Sequence, residues 1–554
     1  MKRRCVVPLA GLLFVSFVIA SGATGCSHDW PTFRHDGLRW GNQPHATALS
    51  DPTKVTSLKQ RWLFQPAGAQ GFTGASPIVY NGIVYIGNQN GYFYAVNEET
   101  GVLVWQYPDP QSKPLVQRRL VECGTCCVNA SAYGITSTAA IATIQSTDAV
   151  IFGAPDTCPN PAQRQPSLCT GNGDGHLFAL NAATGTLMWR SPVVARLTGL
   201  VGGRRPPFEF HEQIGYSSPL VTNHHVYVGI ADHCDNPIQK GQVVAVHLDT
   251  GQIDNGFRFS GAGNLYDPFT VGGGVWSSIA GGTSDIYVTT GNGAGAPPEP
   301  DPDHVLSMLR LDENTGRVVW QVQPIAFESD RDTDWAVTPS VMLSSCGTLA
   351  VSTQKNGWTH AVNADTGRVR WVFPYPFPRT GADPSVYDQN GYVVHSGAGA
   401  GAVWEDVYIA QTVGFANPYD DSAHNRLHAL NACARTPEDR IRWMHDLPGK
   451  PGPPTVSRGV VFVGTDTGQL VVIADPSIGG STPGFRCNDP YATTAQCAAL
   501  HRWFPQLFWL VRDPVPLLPP IQLQGAIHTE PALAHGRVFV ATDAGNLYML
   551  APDP

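Results

Sequence analysis

A repeat that recurs along almost the whole chain constrains the fold more than any other feature. One unit contains a Ser-Pro step, an apolar run ending in Gly, a polar turn, a second apolar run, a Thr-Gly turn and a run that carries Trp. The clearest copy extends from Ala75 to Trp105. Apolar and polar residues alternate with a period of two, which predicts half-buried strands. The Asn-Gly and Thr-Gly steps supply the positive φ angles that tight hairpins need. Each copy therefore predicts four short strands.

Eight such copies predict an all-β fold, an eight-bladed β-propeller of four-stranded antiparallel blades. The seven copies after the first cover residues 173–189, 217–251, 276–320, 338–371, 407–443, 460–503 and 530–550. The last copy stops before its Trp-containing strand, and an orphan strand of that kind, residues 58–64, precedes the first copy. This N-terminal strand would complete the final blade, close the ring and remove exposed sheet edges. The Trp residues at fixed positions are predicted to pack between blades.

The composition agrees with such a fold and excludes one class of partner. Hydrophobic residues make up 42% of the chain and charged residues only 14%, with 58 Gly and 46 Pro. This combination suits short strands and tight turns better than long solvated helices. The net charge of −9 leaves no basic face. Nucleic acid is therefore not expected as a partner.

The N-terminus has the pattern of an export signal. Three basic residues at 2–4 precede an apolar run over 6–20, which is too short to span a bilayer comfortably. Residues 23–26 resemble a lipobox, in which Cys26 would be lipidated; the alternative is an ordinary cleaved signal ending near the same place. We expect a signal peptide over 1–25, an extension over 26–57 and the propeller over 58–554. The protein would be exported to the periplasm or outer membrane and attached to the membrane through the lipid.

The chain contains 12 cysteines, of which Cys5 and Cys26 belong to the signal segment. The remaining ten agree with an oxidising compartment. Their even number predicts disulfides, and the candidate pairs are Cys158 with Cys169, Cys487 with Cys497, and Cys346 with Cys433. The chain contains no C-x-x-C-H motif, so no c-type haem is expected on it.

The Thr-Gly-x-x-x-Trp repeats and the opening segment Asp29–Arg34 resemble the pyrroloquinoline-quinone (PQQ) type of propeller. That family includes quinoprotein alcohol dehydrogenases, polyvinyl-alcohol dehydrogenase and the propeller lipoprotein of outer-membrane protein assembly. The resemblance covers essentially all of the mature chain. It is specific for the fold and weak for function, because catalytic and non-catalytic members share the repeat.

The resemblance implies three contacts to PQQ. Cys126 and Cys127 would form a vicinal disulfide against one face of the quinone; alternatively they pair elsewhere, for instance with Cys123 and Cys234. Trp276, which ends a Gly-rich stretch, would form the floor under the ring, or else pack against another blade. Lys355 would touch the quinone oxygens and stabilise the reduced cofactor, or else be a surface turn lysine.

The resemblance also implies a cation, calcium or a lanthanide, and a catalytic base. Asn292 would ligate the metal through its amide oxygen, or simply belong to a Gly-rich turn. Asp334 would ligate the metal and take the proton of an alcohol; the acidic run 330–334 is otherwise a solvated loop or a plain cation site. The family's calcium-binding Glu is absent, and Asp235 or Asn236 would substitute for it. The family's Arg after the vicinal cysteines is also missing, so the cofactor site is altered or decayed.

Two functions remain open from the sequence. The first is a periplasm-facing dehydrogenase that oxidises a small-molecule or polymeric alcohol with PQQ and passes electrons to a separate acceptor. The second is a non-catalytic lipoprotein scaffold that serves as a docking platform. The acidic cluster together with Trp276 and Asn292 favours the enzyme, whereas the apolar insertion over 504–518 would suit a scaffold, a flap or a lid.

Overall fold

The computed structural model describes residues 28–72, 74–118, 132–155, 174–195, 214–232, 238–263, 270–282, 284–293, 304–324, 334–335, 337–355, 358–373, 402–403, 406–414, 423–435, 440–475, 514 and 516–553. Within these ranges the structure is almost entirely β. The described helix α1 spans only Pro52–Val55. No helix in the described ranges is long and apolar enough to cross a membrane.

The described strands form eight four-stranded antiparallel sheets and one two-stranded ribbon. The first three sheets contain β2 (Ile78–Tyr80), β3 (Ile83–Gly87), β4 (Phe93–Asn97) and β5 (Leu103–Tyr107); β8 (Ala140–Ile144), β9 (Thr147–Pro155), β10 (Gly175–Asn181) and β11 (Leu187–Arg190); and β12 (Leu220–Val221), β13 (His225–Ile230), β14 (Gln242–His247) and β15 (Phe259–Ser260). The ribbon pairs β6 (Gln117–Arg118) with β7 (Ala132–Tyr133).

The next four sheets contain β16 (Ala280–Gly281), β17 (Asp285–Thr289), β18 (Met308–Asp312) and β19 (Val318–Val322); β20 (Ser340–Ser344), β21 (Gly347–Thr353), β22 (Thr359–Asn363) and β23 (Val369–Phe373); β24 (Ala402–Val403), β25 (Asp406–Gly414), β26 (Ala423–Asn431) and β27 (Ile441–Asp446); and β28 (Thr455–Ser457), β29 (Val460–Gly464), β30 (Gln469–Ala474) and β31 (Ile521–Gln522). The predicted all-β propeller of four-stranded antiparallel blades is confirmed.

The eighth sheet combines both ends of the described chain. It contains β32 (Ala532–Ala534), β33 (Arg537–Ala541), β34 (Leu547–Ala551) and, beyond β34, the N-terminal strand β1 (Lys59–Phe64). β1 runs antiparallel to β34, with Lys59 opposite Ala551 and Phe64 opposite Leu547. The N-terminal strand thus occupies the position that the Trp-containing fourth strand takes in the other sheets.

Tryptophans of the fourth strands join five of the eight described sheets to the next sheet, a contact here called the tryptophan clamp. Their indole N–H groups donate to backbone carbonyls of the turn that joins the third and fourth strands of the following sheet; the pairs are Trp62 with Glu98, Trp105 with Ala182, Trp189 with Leu248, Trp320 with Ala364, and Trp371 with Ala432. In four of these five pairs the ring also covers a glycine of that turn. Gly185 has φ +72°, and a Cβ added there would lie 2.7 Å from the Trp105 ring. The predicted inter-blade packing role is confirmed for these five tryptophans.

The Ser-Pro step of the repeat links the inner ends of the sheets. The backbone N–H of this position donates to the hydroxyl of the same position in the next sheet; the links are Ser76 to Thr138, Thr138 to Ser218, Ser218 to Ser278, and Ser278 to Thr338, at 2.8–3.2 Å. In the eighth sheet, the Glu530 N–H donates to the Ser76 hydroxyl at 2.9 Å. The first and last sheets are therefore joined by the same type of bond as their neighbours.

Residues 28–43, here called the central segment, cross the middle of the propeller. Neighbouring sheets contact each other through their first strands, which are thus the inner ones. The central segment makes hydrogen bonds in or beside the first strands of seven sheets, with Val79, Ile141, Pro219, Ile279, Val341, Val456 and Glu530. Arg34 and Arg39 are buried within it. A segment that contacts the inner strands of seven sheets must lie across the centre of the propeller.

The apolar core lies between the faces of neighbouring sheets and is reinforced by a covalent link. Phe93 in β4 stacks on Phe152 in β9, with ring centroids 4.2 Å apart. Cys346 and Cys433 form a disulfide between the fifth and sixth sheets, with their Cα atoms 5.6 Å apart. This predicted pair is confirmed; the other candidate pairs lie outside the described residues.

Candidate active site

Strand direction brings four of the predicted site residues to one end of the propeller. Trp276 and Asp334 precede the first strands β16 and β20, whereas Asn292 and Lys355 follow the second strands β17 and β21. Because successive strands are antiparallel, the start of a first strand and the end of a second strand lie at the same end of a sheet. The four residues come from the adjacent fourth and fifth sheets.

The Asp334 carboxylate is held from two sides. Trp276 Nε1 donates to Asp334 Oδ2 at 2.9 Å, and Lys355 Nζ forms an ion pair with Asp334 Oδ1 at 2.8 Å. The Lys355 ammonium also lies 5.3 Å from the centroid of the Trp276 ring, within the range of a cation–π contact. Asp334 is only 2% exposed. These three side chains form one compact charged and aromatic cluster, here called the Asp334 cluster.

Buried residues under this cluster fix the backbone that carries it. Trp335 bridges to Gln354, and the Lys355 N–H donates to the Asp334 carbonyl at 2.8 Å. His360 packs against Trp335 in a tilted arrangement with ring centroids 5.2 Å apart, and its Nε2 lies 3.0 Å from Gln354 Oε1. Burial lowers the pKa of His360 to about 3, so this ring is neutral. The neutral His360 side chain thus supports the two positions on which Asp334 and Lys355 sit.

Glycines at 272–274 and 291, here called the glycine bed, connect Asn292 to the same cluster. The Gly273 N–H donates to the Asn292 carbonyl, and the Gly291 N–H donates to the Gly274 carbonyl, both at 2.8 Å. A Cβ on Gly291 would lie 3.3 Å from Asp334 Oδ2, so the chain passes directly beside the carboxylate. Gly273 has φ +67°, a conformation that favours glycine. The Gly-rich stretch therefore allows Asn292, which is buried, to approach the Asp334 cluster.

One aromatic residue at the same end was not singled out from the sequence. Tyr216 stands two residues before Ser218, and Trp276 stands two residues before Ser278. The hydroxyls of both serines accept hydrogen bonds that link neighbouring sheets. A Cβ on Gly74, in the first sheet, would lie 2.4 Å from the Tyr216 ring. The Tyr216 side chain thus extends over the inner ends of neighbouring blades, and its position in the repeat was the signal that could have revealed it.

The remaining predicted site residues lie outside the described part of the chain. They are Cys126, Cys127 and Asp235, and the acidic neighbours at positions 330 and 332 also fall there. The described groups comprise a carboxylate, an amide, an ammonium and an indole. Carboxylate and amide oxygens suit a hard cation, and an indole with a nearby ammonium suits a flat anionic ligand.

Two protein-family models match the sequence. One, described as glucose/ethanol/alcohol dehydrogenase, beta-propeller domain, matches residues 46–342. The other, described as outer membrane protein assembly factor BamB, matches residues 302–411. The first match covers more than half of the chain and includes Trp276, Asn292 and Asp334.

Curated relatives are similar at low identity. The dehydrogenase subunit of alcohol dehydrogenase (quinone) from Gluconobacter oxydans (strain 621H) is 22% identical over 410 residues, covering 66% of this chain and 47% of that protein. Quinohemoprotein alcohol dehydrogenase from Comamonas testosteroni is 23% identical over 316 residues, covering 53% of this chain and 39% of that protein. The matched region thus spans less than half the length of either relative.

Solved structures share the fold. The quinohemoprotein alcohol dehydrogenase from Comamonas testosteroni superposes with a TM-score of 0.61 and 17% identity, covering 96% of this chain and 83% of that chain. A europium-containing methanol dehydrogenase gives a TM-score of 0.62 and 14% identity, covering 95% and 98% of the two chains. At these identities the similarity establishes the propeller architecture.

Proposed function

Because the chain belongs to the PQQ family of glucose, ethanol and alcohol dehydrogenase β-propeller domains, we propose that it is a quinoprotein that oxidises an alcohol at the Asp334 cluster. The observation that carries the proposal is the convergence of Trp276, Asp334 and Lys355, which come from separate loops and contact one another directly. A buried carboxylate that is paired with an ammonium group and contacted by an indole at the mouth of the propeller is typical of a functional site.

The described residues have the chemistry to hold PQQ. PQQ is flat and anionic, so the Trp276 indole offers a stacking surface and the Lys355 ammonium offers a counter-charge. Lys355 already lies close to the Trp276 ring, so both contacts are available to one ligand. The glycine bed brings the backbone at Gly291 directly beside the Asp334 carboxylate. A vicinal disulfide between Cys126 and Cys127 would cover the opposite face of the cofactor.

The same end of the propeller offers oxygen ligands for calcium or a lanthanide. The Asp334 carboxylate and the Asn292 amide supply hard oxygen atoms of the type that these cations prefer. Asp235 is proposed as a further oxygen ligand in place of the family's Glu. The europium named for the similar methanol dehydrogenase is the reason to test a lanthanide as well as calcium.

Asp334 has the role of base in this proposal. PQQ, when bound, supplies the acceptor for the hydride that leaves the alcohol carbon. The Asp334 carboxylate takes the hydroxyl proton, which makes the carbon–hydrogen bond easier to break. Trp276 and Lys355 orient the carboxylate through its two oxygens, and Lys355 stabilises negative charge that develops on the ligand. A separate acceptor would carry the electrons away, as the chain has no c-type haem motif.

We further propose that the eight sheets close into an eight-bladed ring. Support comes from β1, which completes the eighth sheet beside β34. The Glu530-to-Ser76 and Trp62-to-Glu98 hydrogen bonds then connect the eighth sheet to the first. We also propose the division into signal peptide 1–25, extension 26–57 and propeller 58–554. Residues 1–27, including the proposed lipid-bearing Cys26, lie outside the described residues. Export to the periplasm or outer membrane follows from that proposal.

A second candidate is a non-catalytic scaffold. The match of residues 302–411 to the outer membrane protein assembly factor supports it. A scaffold needs the ring and its surface but makes no use of a buried carboxylate bridged to Lys355 and Trp276. Cofactor-dependent turnover therefore separates the two candidates.

The decisive variant is Asp334→Asn. The purified chain, supplied with PQQ and either calcium or lanthanum, is assayed for dye-linked oxidation of primary alcohols. The wild type is expected to turn over, and Asp334→Asn is expected to lose at least about 100-fold in kcat, the usual contribution of a positioned base. Asp475→Asn is the matched control, because Asp475 is also buried but belongs to the seventh sheet. Wild-type turnover in Asp334→Asn would refute the assigned base, and absence of turnover with either metal would favour the scaffold.

A further inference from the structure

A second cluster of ligand atoms lies at the opposite end of the third sheet. His225 begins β13, His247 ends β14, and Asp254 follows in the connection to β15. The end of a first strand and the start of a second strand are at the far end of the sheet from the start of the first strand. This cluster is therefore separated from the Asp334 cluster by the length of the strands.

The sheet pairing places the two imidazoles side by side. His225 and His247 are direct cross-strand partners, and such partners have their Cβ atoms about 5 Å apart on the same face. Their ring centroids are 5.1 Å apart. His247 is exposed, whereas His225 is half-buried. Two imidazoles thus lie together at one end of the two middle strands of the sheet.

Asp254 completes the group from a third neighbouring stretch of backbone. The Asp254 N–H donates to the Ala245 carbonyl at 2.9 Å, next to the isolated bridge between Val246 and Ile253. Asp254 thus lies opposite Ala245. Ala245 and His247 are two residues apart in β14 and share a face of the sheet, so Asp254 lies on the face that carries His247. Asp254 Oδ2 is 3.2 Å from His225 Nε2. One ligand atom of each of the three residues lies within 4.8 Å of the others.

The carboxylate is oriented by the backbone around it. The Gly256 N–H donates to Asp254 Oδ1 at 2.7 Å, so this oxygen is fixed and Oδ2 is turned toward His225. Hydrogen bonds that orient a ligating carboxylate are a regular part of metal sites. The ligand set is therefore built into three adjacent backbone stretches and does not depend on a long mobile loop.

We propose that His225, His247 and Asp254 form a zinc-binding site. Imidazole nitrogen is a ligand of borderline hardness, so two imidazoles with one carboxylate suit Zn²⁺. Calcium and lanthanides instead prefer a set of oxygen ligands. Three protein ligands leave a fourth tetrahedral position for water. The bound ion would tie together β13, β14 and the turn after β14. This site is independent of the proposed alcohol oxidation.

The test is a zinc titration of the full-length chain after chelator treatment, with binding measured by calorimetry. Wild type is expected to bind one more equivalent of Zn²⁺ than His247→Ala, in which an exposed ligand is removed. Asp254→Asn, which keeps an acceptor for Gly256, is expected to weaken binding at this site at least about 10-fold. His224→Ala is the matched control, because it removes the neighbouring exposed imidazole and is expected to bind like wild type.

A second readout identifies the ligands themselves. Co²⁺ in place of Zn²⁺ is expected to give visible absorption bands of a four-coordinate nitrogen and oxygen site in the wild type and in His224→Ala, and to lose them in His247→Ala. Circular dichroism checks that each variant is folded. Equal zinc stoichiometry and affinity in wild type and His247→Ala, or unchanged binding in Asp254→Asn, would overturn the assignment.

Discussion

Replacing Arg34 with methionine is expected to destabilise the centre of the propeller, and more strongly at pH 8 than at pH 5. Arg34 is 1% exposed, and its partner Glu530 is fully buried. The backbone N–H of Arg34 donates to Glu530 Oε2 at 2.8 Å, and the guanidinium Nη1 lies 3.5 Å from Oε1. The pair joins the central segment to the eighth sheet. The variant therefore leaves a buried carboxyl group without its cationic partner.

The pH dependence follows from the Glu530 carboxyl group. Burial raises its pKa from 4.5 to about 7, while the charge of Arg34 acts in the opposite direction. Without Arg34 the pKa rises further. A group with a raised pKa in the folded state stabilises the fold below its ordinary pKa, and this stabilisation is lost as the pH rises through the raised value. The loss in Arg34→Met should therefore grow between pH 5 and pH 8.

The magnitude can be worked out from the same values. The wild type already carries the shift of the Glu530 pKa from 4.5 to about 7, so only the further rise in the variant adds to its loss. Between pH 7 and pH 8 this rise adds about 1.4 kcal/mol. At pH 5 the carboxyl group is protonated, so the loss falls to roughly 1–2 kcal/mol for the missing hydrogen bonds. A chain of 554 residues has an unfolding entropy of about 1 kcal/mol/K. At pH 8 the loss is therefore roughly 2–3 kcal/mol, and the expected decrease in Tm is about 2–3 °C at pH 8 and about 1–2 °C at pH 5.

Scanning calorimetry of the wild type and Arg34→Met at the two pH values measures this difference. Arg317→Met is the matched control, because Arg317 is exposed, and it should leave Tm unchanged at both pH values. An equal decrease at pH 5 and pH 8 would refute the role of the Glu530 carboxyl group. No decrease at either pH would refute the position of the central segment.

Two further predictions concern the contacts between sheets. Gly185→Ala should lower stability by about 2–4 kcal/mol, because a left-handed alanine costs about 1–2 kcal/mol and the methyl group also collides with the Trp105 ring. Gly82 has φ +78° and nothing within 4 Å of an added Cβ. Gly82→Ala should therefore lose only the about 1–2 kcal/mol of the left-handed conformation. Equal losses in denaturant titrations would contradict the tryptophan clamp. Replacing both Cys346 and Cys433 with serine should cost about 3–5 kcal/mol, because the disulfide closes a loop across 87 residues. An unchanged Tm in the double variant would show that the disulfide does not hold the two sheets together.

The parts of the fold set by the repeat could be predicted from the sequence. The period of two and the Thr-Gly turns specify the strands. The fixed Trp positions indicate the packing between blades, because large aromatic rings that recur in a repeat pack between its copies. The convergence of Trp276, Asp334 and Lys355 also follows from the repeat. Equivalent positions in successive copies lie at the same end of the ring, so residues distant in the sequence meet there.

The parts that depend on non-repeated contacts could not be predicted. The central segment was expected only as an extension, because nothing in its sequence indicates that Arg34 pairs with Glu530, 496 residues away. The Ser-Pro step was visible, but its hydroxyl links depend on the spacing of neighbouring sheets. The support of the Asp334 cluster by Trp335 and His360 likewise comes from packing within the fifth sheet. Sequence periodicity specifies strands and their ends, whereas these bonds are fixed by tertiary geometry.

Binding of PQQ to the purified protein, with calcium or lanthanum present, tests the central claim most directly. Equilibrium dialysis with detection of the quinone absorbance is expected to show one PQQ per chain in the wild type. Trp276→Ala should weaken binding by about 10-fold, the value of one aromatic stacking contact, whereas Trp105→Phe should bind PQQ like the wild type. No binding with either metal, or equal binding by wild type and Trp276→Ala, would contradict a quinone site at the Asp334 cluster.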